Sequence, residues 1–125
     1  LSVVSDQISC PTSTKTLAKA CWKIISSKET FENSSIFHCC DAGVASWYDF
    51  AVAIGEMGVQ FGVFQKSADV RPISSLEYPT KAQRPAFSLL DCTSTCEVLD
   101  LERKHWRQSL SEVFTQFVQI NGKIN

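Results

Sequence analysis

Residues 77–92 read EYPTKAQRPAFSLLDC, and the fold class turns on what this stretch can and cannot be. Pro79 and Pro85 each fix φ and remove a backbone donor. Tyr78 and Arg84, which precede them, are driven toward extended conformations. The segment is therefore a stiff strap, neither a helix nor a free linker. Between its prolines it carries one arginine, Arg84, and one hydroxyl, Thr80. An arginine on a rigid, extended segment is suited to gripping a phosphate or carboxylate through two parallel hydrogen bonds. The competing reading is a surface loop whose Arg84 pairs with a neighbouring acid.

Upstream of the strap, residues 1–4 are apolar and β-branched and read as a strand that needs a sheet to receive it. Residues 6–12 turn and end in Pro11 and Thr12, and Thr12 or Ser13 caps a helix. Its apolar face is Leu17, Cys21, Ile24 and Ile25. A polar loop at 26–35 leads to a second strand at 36–40, and Asp41-Ala42-Gly43 turns the chain. Ser46 with Asp49 three residues on has the form of a capping box. It opens a helix with the stripe Trp47, Phe50, Ala51, Ile54, Met57 and Phe61.

Gly55, Gly58 and Gly62 read as the fading end of that helix. A dinucleotide loop needs a strand before its glycines and a helix after them, and here the helix comes first. Residues 70–73 read as a short strand, and Ser74 or Ser75 caps a single turn through Leu76. Beyond the strap come an extended bridge at 88–91, a weak helix at 92–99 and a last helix at 104–118. The last helix presents Trp106, Leu110, Val113 and Phe117 as its buried face and stops at Asn121-Gly122. Alternating strands and helices with a mainly helical tail fit an α/β or α+β arrangement, and the expectation is α/β, a few strands with a mainly helical lobe.

A chain of 125 residues makes one domain, 1–125. Net charge −1 with no basic patch argues against nucleic acid as a partner. No apolar run approaches the ~20 residues that span a bilayer, so no membrane partner is expected and the cytoplasm is the expected compartment. The sequence opens on Leu1, inside a strand, which reads as a cut. Six cysteines raise disulfides or zinc, yet the adjacent Cys39 and Cys40 point to opposite strand faces. Cys92 and Cys96 lack the second ligand pair that a structural zinc site needs, so no metal site is assigned. Buried free thiols are expected instead, and a stand-alone thiol or metal domain is a minor alternative.

The strap as written, EYPT-x-A-x-RP-x-x-S-x-LD, resembles the C-terminal portion of dTDP-4-dehydrorhamnose reductases, which are extended short-chain dehydrogenase/reductases. Three further pieces agree in order. Asp6-Gln7 through Pro11-Thr12 is similar to the family's DQ-x-G-x-PT run, with Ser9 where glycine is usual. Ile36-Phe37-His38 followed by SWYDFA at 46–51 resembles its strand-and-helix step. Trp106-Arg107 with Leu110 resembles its closing WR-x-x-L helix. The resemblance runs from Leu1 to about residue 117, and Phe87 stands where relatives often carry a polar residue.

This resemblance implies the C-terminal part of a Rossmann-like reductase that reduces a 4-keto sugar on a dTDP carrier. The implied hydride source is NAD(P)H, bound by an N-terminal half absent from this sequence, with no cofactor-binding residue expected here. Tyr48 and Tyr78 are followed four residues later by Val52 and Ala82, so the family's Tyr-x-x-x-Lys pair is missing and no catalytic residue is assigned. The implied share of this chain is to hold the dTDP-sugar through Arg84, Gln7, Asp6, Pro11 and Thr12. For Asp6 and Thr12 ordinary turn and helix capping is an equal reading. Trp47 and Trp106 are expected as core anchors rather than base-stacking platforms, and His38 as a core histidine. A homodimer, or pairing with the missing half, is the expected assembly. The alternative is a non-catalytic relative that acts as a regulatory, partner-binding subunit.

Overall fold

The computed structural model describes residues 1–27 and 36–121. The polar loop read at 26–35 falls almost wholly outside the described residues, as does Gly122. β1 (Ser2–Val4) pairs in parallel with β4 (Arg71–Ile73), in the register Ser2↔Arg71 and Val4↔Ile73. β2 (Ile8–Ser9) pairs antiparallel with β3 (Ala45–Ser46). The helices are α1 (Thr14–Ser26), α2 (Trp47–Gln60), the short α3 (Thr93–Val98) and α4 (Trp106–Asn121), with a 3₁₀ turn at Ser75–Glu77. The expected α/β class with few strands and a mainly helical lobe holds.

The expected strand at 36–40 does not form among the described residues; only Ala42, just beyond it, makes a bridge, with His105. A side chain has taken the place of a strand partner. Arg103 donates through Nε to the Cys40 carbonyl at 2.9 Å and through Nη2 to the Asp41 carbonyl at 2.7 Å. Those acceptors are what a neighbouring ladder would use. The antiparallel pair forms instead inside the stretch read as a turn.

Local signals decide the helix starts. The Ser13 hydroxyl caps α1 by accepting from the Lys15 N–H at 3.2 Å. Ser46 and Asp49 form the full capping box of α2, with 3.1 Å and 2.8 Å arms. α2 runs through Gly55 and Gly58 to Gln60, and Gly62 at φ +70° turns the chain away. Gly58 is needed for space as well, because a Cβ there would lie 2.1 Å from the Phe64 ring.

The apolar faces are rotated from those expected. On α1, Leu17, Cys21 and Ile25 are exposed, and Ala20 is buried. The cause is Thr16, whose hydroxyl donates to the Asp41 carboxylate at 2.5 Å and turns the 16–20 side inward. On α4, Trp106, Ser109 and Phe114 are buried, while Val113 and Phe117 are exposed. Phe114 stacks on Phe61 with centroids 5.7 Å apart, which fixes the rotation of that helix. Trp106 is a core anchor as expected, packed with Ala45 and Ala53 and edge-on to Phe50 at 5.9 Å. Trp47 is not: it is 53% exposed. Its place at the first position of α2 sets it beyond the Ala53–Met57 line that meets α4.

Candidate functional site

β1 and the start of α2 form two sides of a cleft, and the strap crosses it. Val3 and Val4 come from β1, Gln7 from the turn after it, Trp47 from α2, and Tyr78, Thr80 and Arg84 from the strap. The cleft has a volume of about 340 Å³. The strap is held in place by backbone pairing on the C-terminal side of its crossing. Ile8 N–H donates to the Ala86 carbonyl at 2.8 Å, and Ser88 N–H donates to the Ile8 carbonyl at 2.9 Å. Sequence spacing alone puts Gln7 and Arg84 far apart; this pairing brings them into one cleft.

Arg84 is exposed and makes no ion pair or hydrogen bond among the described residues. The surface-loop reading, in which a neighbouring acid satisfies it, does not describe this structure. Thr80 is engaged within the strap, donating to the Ala82 carbonyl at 2.7 Å. Gln7 is oriented from below, with Nε2 donating to the Ser75 hydroxyl at 3.0 Å.

The other residues expected at the site are placed differently. Asp6 accepts from the Ser75 hydroxyl at 2.6 Å and from its N–H at 2.9 Å, so it fastens the 3₁₀ turn at Ser75–Glu77. The Ser75 hydroxyl first, then the Ser75 backbone N–H, hold this carboxyl below the ordinary aspartate value. Pro11 and Thr12 line a separate hollow of about 310 Å³ with Ser9, Phe50 and, again, Trp47. The Thr12 hydroxyl donates to the Cys10 carbonyl at 3.0 Å, a turn contact. The structure therefore gathers Gln7 and Arg84 on one side of Trp47 and Pro11 and Thr12 on the other, with Asp6 in a structural role. Trp47 and Tyr78 line the cleft without having been expected there. The available signal was position: Trp47 directly follows the cap, and Tyr78 directly precedes a proline.

A second cavity, of about 280 Å³, is lined by His38, Cys39, Cys40, Cys92, Cys96 and Arg103 among others. His38 is exposed at its edge and is not a core histidine. Of the six cysteines, Cys40 and Cys92 are buried, with sulfurs 3.5 Å apart, whereas Cys21 is exposed. Cys10, Cys39 and Cys96 are half-buried. Burial pushes the Cys10 thiol up to about 12 and raises those of Cys39, Cys92 and Cys96. Thiols held protonated are poor nucleophiles. Among the described residues no group of three His, Cys, Asp or Glu side chains is placed to hold a metal ion.

The glycines do not fit a nicotinamide dinucleotide. Gly58 and Gly62 sit at the C-terminal end of α2, which presents carbonyls, whereas a pyrophosphate needs the N–H groups of a helix start. Among the described residues no helix is long and apolar enough to cross a membrane.

Comparison with known proteins gives a consistent result. The chain is similar to the spore coat polysaccharide biosynthesis protein SpsK of Bacillus subtilis, 37% identical over 90% of this chain and 35% of that protein. It is similar to the dTDP-4-dehydrorhamnose reductase of Aggregatibacter actinomycetemcomitans, 34% identical over 90% of this chain and 39% of that enzyme. Among solved structures, a dTDP-4-dehydrorhamnose reductase from Clostridium acetobutylicum superposes with TM-score 0.77 at 35% identity, covering 95% of this chain and 39% of that one. The Bacillus anthracis enzyme, solved in complex with NADP, also gives 0.77, at 26% identity over 93% of this chain and 38% of that one. The chain thus spans well under half the length of these relatives. The family model described as the RmlD substrate binding domain matches residues 1–119, and this chain belongs to that family.

Proposed function

We propose that this chain is the single sugar-nucleotide-binding domain of a dTDP-4-dehydrorhamnose reductase of the cytoplasm. It holds a dTDP-sugar in the cleft between β1, α2 and the strap. Arg84 takes the diphosphate, and Gln7, fixed by Ser75, offers its amide to the same ligand. NAD(P)H supplies hydride when bound, and its site and the proton donor belong to residues outside this sequence. The contribution made here is positional: a sugar carbonyl held in line for transfer loses the translational and rotational freedom that would otherwise slow the reaction. Alone, this chain binds the substrate and does not reduce it.

The observation that carries this reading is Arg84, a guanidinium in a cleft with no carboxylate partner among the described residues. A hydrogen bond to a charged group contributes about 1.5–3 kcal/mol. Arg84→Ala is therefore expected to weaken dTDP-L-rhamnose binding about 10- to 150-fold in calorimetric titration. Equal affinity in both proteins, or no heat with either, would overturn the proposal.

A further inference from the structure

Trp47 is the least expected side chain in the molecule. It stands in an apolar stripe, yet it is 53% exposed, while Ser46 beside it is 3% exposed. Its backbone is fixed by one of the firmest local devices in the fold. The Ser46 hydroxyl accepts from the Asp49 N–H at 3.1 Å, and the Asp49 carboxylate accepts from the Ser46 N–H at 2.8 Å. An exposed aromatic on a rigid mount differs from one on a loose loop, because little backbone freedom is left to lose when a flat ligand covers it. The indole lies between two hollows, the Arg84 cleft on one side and the Pro11–Thr12 hollow on the other. Tyr78, 59% exposed, gives the Arg84 cleft a second aromatic side chain.

From this juxtaposition of an uncovered indole on a fixed backbone with an unpaired guanidinium and a tyrosine, we infer that Trp47 is the stacking platform for the ligand's nucleobase. The inference rests on the reading that the cleft takes a nucleoside diphosphate, and it goes further by dividing the cleft. The aromatic side holds the base and the Arg84 side holds the diphosphate, so the sugar projects beyond them. Stacking accepts the π-face of any base, so Trp47 sets affinity for nucleotides as a class and does not choose among bases. A phosphosugar without a base gains nothing from it.

The test uses dTDP as probe and reads tryptophan fluorescence and calorimetric affinity together. The chain has three tryptophans. Trp106 is buried, and Trp22 lines a different hollow with Lys19 and Lys23, so both serve as background. Wild type is expected to show quenching on dTDP addition. Trp47→Phe, which keeps a stacking ring, is expected to bind with little loss while the quenching disappears. Trp47→Ala is expected to lose affinity by between about 5-fold and about 150-fold, the range that base–aromatic stacking spans. Quenching that persists in Trp47→Phe overturns the assignment, and that readout stands even if the alanine variant folds poorly. Affinity lost in Arg84→Ala but unchanged in Trp47→Ala overturns the platform while leaving the nucleotide cleft intact. No binding of dTDP by wild type overturns both.

Discussion

Asp41 and Arg84 are both charged, and their surroundings differ in nearly every respect. Asp41 is fully buried, its carboxylate accepting from the Ser13 N–H at 3.1 Å and the Thr16 hydroxyl at 2.5 Å. Its carbonyl accepts from Arg103. One residue thus ties the start of α1, the segment at 40–42 and the approach to α4. Arg84 is exposed on a strap whose residues are almost all exposed, and among the described residues nothing satisfies it. A buried charge with every acceptor used holds the body together. A charge left without a partner beside a cleft adds little to folding and is free to meet a ligand. Stability and binding should therefore respond separately to mutation in the two regions.

The largest separation is expected at Trp106, which closes the body against Ala45, Ala53 and Phe50. Trp106→Ala removes a buried ring and should cost about 3–5 kcal/mol. For a chain of this size that lowers the melting temperature by about 10–20 °C, measured by circular dichroism. Arg84→Ala should shift stability by less than about 0.5 kcal/mol. If the two variants melted alike, the division between body and strap would be wrong.

Asp41→Asn sharpens the same contrast with one atom. Asparagine keeps one acceptor and turns the other into a donor. Its oxygen can still accept from the Ser13 N–H, and its NH2 then donates to the Thr16 hydroxyl, which must stop donating to residue 41. Replacing two buried hydrogen bonds to a carboxylate by two neutral ones should cost about 1–3 kcal/mol. The expected result is a lower urea midpoint with an unchanged slope; a changed slope would mean that the body had loosened as a whole.

The sequence made some of this plain and hid the rest for identifiable reasons. The capping box at Ser46 and Asp49 and the glycine stop of α2 are short-range features, and the structure has both. Rotations of helices are not short-range. The α1 face was misread because Thr16, a polar residue, is drawn inward by Asp41, which is 25 residues away. The strand expected at 36–40 is absent, and at its end Arg103 claims the carbonyls of Cys40 and Asp41 from 63 and 62 residues downstream. The site was legible in its residues more than in its geometry. Gln7 and Arg84 meet only because residues 86–88 pair with Ile8. Asp6 carried two equal readings, pocket residue and turn cap, and in the structure its carboxylate accepts from Ser75. Trp47 was assigned to the core because an apolar stripe carries no mark of where the neighbouring helix ends.

The smallest expected effect sits where body and cleft adjoin, at the α2 cap that mounts Trp47. Asp49 has its carboxyl lowered from the ordinary value of 3.8, first by the Ser46 backbone N–H and then by the Ser46 hydroxyl. A carboxyl whose folded value is depressed stabilises the fold fully above its unfolded value and loses that contribution as pH falls through the folded one. The cap's contribution is therefore present at neutral pH, begins to fade near 3.8, and is gone once the folded carboxyl is protonated. Asp49→Asn removes the charge at every pH. It should cost about 0.3–1 kcal/mol at neutral pH, the usual range for an acid at a helix start. The difference from wild type should shrink toward zero at an acid pH below the folded carboxyl's lowered value, because both side chains are then uncharged. Urea midpoints of the two proteins at both pH values measure it. A gap that stayed constant would place the effect of Asp49 in hydrogen-bond shape rather than in charge, and the mount of Trp47 would then be insensitive to acid.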